Sequence, residues 1–370
     1  MNEEHNENLI AFHPGYYVKE YLNYQGMKQS ELAERLNISE KTVSYLVNGQ
    51  MNVDNDMADK LALVLGTSPI LWKNLNNKYL ETKDKIDKEK QLEEEKLILQ
   101  QMDYAFWSRN GLVKQTSKLS EKVDELKKFL RISSLEVLEK SDFLVQYKTS
   151  IGEVKTKNTI NANAWVQTAL NLGNLQKVDS INLSYLKAQL SVIRSMTMEN
   201  PENFLPKLED IFKHAGVAFV IIPNLKNCGI NGAVKWLGND KVLLAINDRR
   251  KSADLFWFAL FHEIKHIFQQ KKGHIIVTSE KGLELDSPLN MQLLEKNADN
   301  FAQNYLIDQD EYNKFVAKQD FSYHTVETFA NKIAIQPGIV IGRLQRDKYV
   351  PFDHLNSDKQ RYKIIFNNNA

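Results

Sequence analysis

Leu255-Phe256-Trp257-Phe258-Ala259-Leu260-Phe261-His262-Glu263-Ile264-Lys265-His266-Ile267-Phe268 is the stretch on which the reading of this chain turns. It contains no Pro or Gly and is long enough for several turns, so it predicts a helix. On a helix, positions i and i+4 lie on one face. His262 and His266 therefore point the same way and can share one metal ion. Glu263 projects beside them, close enough to act on a metal-bound water. This is the H-E-x-x-H pattern of zinc peptidases. Neutral imidazole suits zinc, and a catalytic zinc keeps three protein ligands so that water takes the fourth place. Zinc brings the pKa of that water to about 7, and a carboxylate then moves its proton to the leaving amine. Two surface histidines on a core-packed helix would give the same five letters. The apolar run before the motif and a third donor downstream count against that.

The third donor is Glu295. In Glu295-Lys296-Asn297-Ala298-Asp299-Asn300-Phe301-Ala302-Gln303-Asn304-Tyr305-Leu306-Ile307, the residues Ala298, Phe301, Ala302, Tyr305 and Leu306 recur at helical spacing. Glu295 lies one turn before Ala298 on that apolar face, where a carboxylate needs a partner or a metal. A first-turn Glu favoured by the helix dipole is the plainer explanation. His274, His324 and His354 follow the motif and read as surface histidines, although His274 could reach the site.

These residues resemble the ImmA/IrrE family of metallopeptidase domains. The resemblance extends to Gly232–Leu237, to Asp254–Phe258 and to the closing stretch Ile335–Gln345. It implies a zincin-like domain with a small sheet, a zinc cofactor, His262, His266 and Glu295 as ligands, and Glu263 as catalytic base. The chain departs from the pattern at Asp308, where such sequences usually have Pro; that touches a helix end and not the metal.

Residues 9–80 read as a compact helical domain. A first helix runs through Tyr16–Leu22, a short one through Met27–Leu36, and Asn37-Ile38 make a tight turn. Ser39 caps Glu40–Val47, which Asn48-Gly49 stop. Two short helices across a tight turn, the second rich in small polar residues, describe a helix-turn-helix whose second helix enters the major groove. Leu32, Ala33, Leu36, Ile38, Val43 and Leu46 are expected inside. Gln29, Ser39, Lys41, Thr42, Ser44, Tyr45 and Asn48 are the expected DNA contacts. With Met57–Pro69 and Leu71, Trp72, Leu75 and Tyr79, this part resembles the antitoxin HigA subgroup of Xre-type repressors. It implies a lambda-repressor-like bundle, a double-stranded operator with an inverted repeat, a homodimer, and a cognate toxin or repressor protein as partner. Residues 1–80 hold seven Lys/Arg against ten Asp/Glu, a net of −3. Phosphate contacts dominate DNA affinity, so one copy would bind weakly and a dimer would compensate.

The expected division is 1–80 for DNA binding, 81–103 as a charged helical connector, 104–200 as a helical middle segment, and 201–370 as the peptidase-like domain. Glu81 to Lys96 hold twelve charged side chains of mixed sign and read as a solvated helix. Val217–Ile222 and Lys241–Ile246 are short strand-like runs, so the fold class is mainly α with an α+β C-terminal part. Of 370 residues, 42% are hydrophobic and 26% charged, the net charge is +1, and no run of eighteen apolar residues predicts a membrane span. The polar start is no signal peptide, and the single Cys228 suits a reducing cytoplasm. The expectation is a cytoplasmic DNA-binding regulator or antitoxin with a zinc metallopeptidase-like domain. The alternative is a DNA-binding scaffold whose zinc is structural.

Overall fold

In the computed structural model the described residues are 3–5, 9–140, 156–248, 252–270, 276–279 and 289–362. The chain divides into two compact units, Met1–Glu95 and Lys96–Ala370.

In the first unit, strand β1 (Glu3–His5) pairs antiparallel with β2 (Ile10–Phe12). Helix α1 (Pro14–Gln25) starts on a buried His13, whose Nδ1 accepts the Gly15 N–H at 2.9 Å, with Pro14 preset for the first turn. It begins two residues earlier than the sequence reading places it. α2 (Gln29–Leu36) ends on Asn37 in the left-handed region. α3 (Glu40–Val47) opens where Ser39 Oγ accepts the Thr42 N–H at 3.1 Å, a cap worth about 1 kcal/mol. α4 (Asn55–Leu65) is capped in the same way by Asp54. Leu32, Ala33, Leu36, Val43 and Leu46 are buried in one cluster with Val18, Leu61 and Trp72, and Ile38 packs partly buried against it.

α5 (Pro69–Leu99) is one continuous helix of 31 residues. It runs from the expected DNA-binding domain through most of the expected connector. Its outer face is stitched by pairs such as Lys88–Asp84 at 2.7 Å, at the spacing that supports an exposed helix. The stretch is not solvated throughout. Ile86 is buried with Tyr79 and Ala11 of β2, and Thr82 and Glu95 are buried too.

The second unit begins with α6 (Tyr104–Arg109), α7 (Leu119–Leu130) and α8 (Thr156–Leu175), followed by α9 (Leu183–Ser195) and α10 (Pro201–His214). A four-stranded sheet follows, from β3 (Val217–Ile222), β4 (Ile230–Trp236), β5 (Val242–Asn247) and β6 (Ile276–Ser279), in the order β3-β5-β4-β6. β3 is parallel to β5, and β4 is antiparallel to both β5 and β6. α8 packs against β3 and β5, and Trp165 Nε1 donates to Pro223 O at 3.3 Å. Helices 104–200 and the sheet thus belong to one body.

α11 (Ala253–Gln269) carries the H-E-x-x-H stretch and packs against β4, α12 (Leu289–Leu306) and α15 (Pro337–Arg346). Between the last two lie α13 (Gln309–Val316) and α14 (Tyr323–Lys332). Asp308, the departure noted in the sequence, caps α13 by accepting the N–H groups of Asp310 and Glu311. A late segment clasps the start of α11. Gln360 O accepts the Ala253 N–H at 2.9 Å, Lys359 pairs with Asp254 at 2.7 Å, and Trp257 Nε1 donates to the Tyr362 hydroxyl at 2.7 Å. Among the described residues no helix is long and apolar enough to cross a membrane.

Candidate metal centre and nucleic-acid interface

α11 sets His262 and His266 one turn apart, and α12 brings Glu295 to them. Their candidate ligand atoms all lie within 4.8 Å of one another. The two Nε2 atoms are 2.9 Å apart, and the Glu295 oxygens are 3.2 Å from each. His262 and His266 are buried, while Glu295 is partly exposed.

The outer nitrogens fix the tautomers. Asp299 Oδ1 can only accept, so His262 Nδ1–H donates to it at 2.9 Å. His266 Nδ1–H donates to Gln269 Oε1 at 2.8 Å, and Gln269 Nε2 donates in turn to Leu294 O at 2.8 Å. Both Nε2 lone pairs then face the Glu295 carboxylate, so three acceptors converge. Such a set needs a cation between its members. Without metal the cation is a proton. Burial pulls the His262 imidazole down, but its bonds to Asp299 and Glu295 and the charges of Glu263 and Glu295 raise it to about 10. Burial likewise pushes Glu295 up, and the two imidazoles outweigh this and lower it to about 2. Two imidazoles and a carboxylate are also the three-protein-ligand set of a catalytic metal site. A divalent ion fits by the chemistry of its donors and would displace the proton.

Glu263 follows His262 on α11 and is fully buried. Strand β4 makes room for it at Gly232, where a Cβ would stand 2.7 Å from its carboxyl carbon. Asp299 and Gln269 were given no role from sequence. Each sits at helical spacing from a ligand, four residues after Glu295 and three after His266, and that spacing is the signal that finds them. His324 and His354 are exposed, and neither joins the group among the described residues. His274 lies outside the described residues.

In the first unit, α3 presents Lys41, Tyr45 and Asn48 to solvent, with Thr42 and Ser44 half-buried and Ser39 exposed at its start. Lys41 Nζ lies 5.4 Å over the Tyr45 ring, and Asn48 Nδ2 donates to Ser44 Oγ at 3.3 Å. Gln29 is half-buried at the start of α2.

Residues 18–72 match the family described as helix-turn-helix. YddM of Escherichia coli (strain K12), an uncharacterised HTH-type transcriptional regulator, is 36% identical over 64 residues, which are 17% of this chain and 68% of that protein. An uncharacterised HTH-type transcriptional regulator of Haemophilus influenzae is 37% identical over 60 residues, 16% of this chain and 56% of that one. Two solved structures are each 30% identical, with TM-scores of 0.21, and each match covers 23% of this chain and 92% of the other. One is an addiction module antidote protein of the HigA family from Coxiella burnetii; the other is Pseudomonas aeruginosa antitoxin HigA with the higBA promoter. Through its N-terminal part, this chain belongs to the helix-turn-helix family of transcriptional regulators.

Proposed function

We propose that this protein is a DNA-binding transcriptional regulator of the antitoxin type whose second unit holds a zinc centre of the ImmA/IrrE peptidase kind. The observation that supports the zinc reading is the convergence of His262, His266 and Glu295, with both outer imidazole nitrogens already held by Asp299 and Gln269. In this reading the three residues hold zinc. When bound, zinc acts as a Lewis acid and activates water. Asp299 and Gln269 orient the rings. Glu263 takes a proton from the attacking water and delivers it to the leaving nitrogen of a scissile peptide bond.

The exposed side of α3 supports a major-groove role for Lys41, Thr42, Ser44, Tyr45 and Asn48, with Ser39 and Gln29 near phosphate. A homodimer on an inverted repeat offsets the negative balance of residues 1–80. The partner is a cognate toxin or repressor protein, on the resemblance of the first unit to antitoxin HigA. One observation favours the second reading, a structural zinc: Glu263 is fully buried, which leaves a substrate little access to the base.

The test uses purified full-length protein. Metal analysis should find about one zinc per chain, lost in His262→Ala, His266→Ala and Glu295→Ala and kept in Glu263→Gln. Full zinc occupancy in all three ligand variants would sink the metal assignment. New termini in a candidate partner protein, present with wild type and absent with Glu263→Gln, separate the peptidase from the scaffold. On DNA, Lys41→Ala should weaken binding to an inverted repeat at all sequences, and Thr42→Ala or Ser44→Ala should relax sequence preference. Equal affinity of wild type for operator and random duplex would refute the regulator reading.

A further inference from the structure

A cavity of about 60 Å³ lies between α11, α12 and α15, apart from the three ligand side chains and walled by Leu255, Phe258, Leu306, Ile307 and Ile339. One water needs about 10–15 Å³, so the space takes a small branched aliphatic group. Its polar groups are not equivalent. Arg343 lines it with Nε engaged by Asp347 at 2.6 Å and Nη2 by Gln309 at 3.0 Å, while its Nη1 is buried without a hydrogen bond among the described residues. Asp254 lines it with Oδ2 held by Lys359, and its Oδ1 is buried without a hydrogen bond among the described residues. Arg346 lines it too, is exposed, and lays its guanidinium 3.7 Å over the Phe258 ring. Among the described residues, no hydrogen bond or ion pair takes up its N–H donors.

We propose that this cavity is a binding site for a branched aliphatic group bearing one carboxylate. The aliphatic part lies against Phe258, Leu306 and Ile339, and the carboxylate pairs with Arg346. A guanidinium held over an aromatic ring keeps its N–H donors as a planar fork, which matches a carboxylate in two parallel hydrogen bonds. Pairing beside an apolar wall is stronger than in open water because fewer waters compete. The charge must be small. Asp299, Asp347 and Asp254 bear on Arg346 as negative charges and Arg343 as a positive one, so with acids in the majority a monoanion is opposed less than a dianion such as phosphate. The chemistry has two sources: a free branched-chain acid, or the carboxyl-terminal residue of a polypeptide. The proposal stands without the metal reading, since no ligand to the metal lines the cavity.

The experiment is calorimetry and saturation-transfer NMR on the full chain with four probes: 4-methylpentanoate, its amide, acetyl-Ala-Ala-Leu with a free carboxyl terminus, and the same tripeptide amidated. At least one acid should bind wild type, and its amide should bind at least tenfold more weakly. Arg346→Gln, a surface change, should weaken the acid at least tenfold. Ile339→Phe, which fills the cavity, should abolish binding, and Phe258→Leu serves as the second variant if Ile339→Phe does not fold. Binding of 4-methylpentanoate alone assigns the site to a small molecule; binding of the tripeptide acid alone assigns it to a chain terminus. The proposal is overturned if no probe binds wild type, if acid and amide bind alike, or if Arg346→Gln binds as wild type does.

Discussion

Gly232 and Gln269 show how much of the candidate centre rests on residues that hold no metal. At Gly232 the strand backbone passes so close to Glu263 that a methyl group would occupy the carboxylate's place. Gly232→Ala is expected to retain zinc, because it touches no ligand, but to displace Glu263 and destabilise the unit by about 1–3 kcal/mol through overpacking. Zinc stoichiometry and a urea midpoint, measured on the same preparation, check both halves. Gln269 joins the outer nitrogen of His266 to the carbonyl just before Glu295, so one side chain aligns candidate ligands from two helices. Gln269→Ala should weaken zinc about 10–100-fold in competition with a chelator, the usual effect of removing an outer partner. Asp299→Ala should do the same through His262. An unchanged affinity in both variants would mean the rings are held by packing alone.

At the scale of elements, the sequence made the helix-turn-helix and α11 legible for local reasons. Ser39, Asp54 and Gly66 punctuate helices at positions where side-chain caps and left-handed turns are needed, and Leu32 with Leu36 in α2 and Val43 with Leu46 in α3 fall at helical spacing. The H-E-x-x-H spacing works in the same way, since both histidines sit on one helix. Glu295 was within reach because a carboxylate on an apolar face stands out. β6 was not legible: it is four residues long and is defined by its pairing with β4, a long-range contact. The weight of α8 was hidden too. Its Thr159, Asn161, Asn163 and Thr168 are buried, with contacts such as Asn163 Nδ2 to Leu138 O at 2.9 Å and Trp107 Nε1 to Thr168 Oγ1 at 3.0 Å. Polar letters in a buried helix defeat a hydrophobic pattern. Arg194 is a further case. Its guanidinium donates to the carbonyls of Tyr305 and Leu306 at the end of α12 and to those of Ile333 and Ala334 after α14. Arg194→Met should orphan these carbonyls and lower stability by about 2–4 kcal/mol, read as a shifted urea midpoint at constant slope.

For the molecule as a whole, the two units should answer acid differently. His13 is buried and caps α1 as a neutral ring, and burial lowers its pKa below the ordinary 6.5. The unfolded chain therefore takes up this proton first as pH falls. Stability of the first unit is full above about pH 6.5 and declines below it, by at most about 1.4 kcal/mol per pH unit for one proton. Calorimetry of the full chain at pH 7 and pH 5 should show one transition moving down, and His13→Asn, which keeps a cap acceptor, should remove that part of the pH dependence. In the second unit, the clasp of Lys359, Gln360 and Tyr362 on the first turns of α11 has a consequence in time. Tyr362 follows Trp257 by 105 residues, so the ribosome finishes the helix of His262 and His266 long before it makes the segment that completes its surroundings. During that interval Asp254 lacks its lysine and Trp257 its hydroxyl partner. A copy trimmed before residue 359 is therefore expected to hold the first turns of α11, and with them the candidate centre, less firmly than the intact chain, with the first unit left as it was.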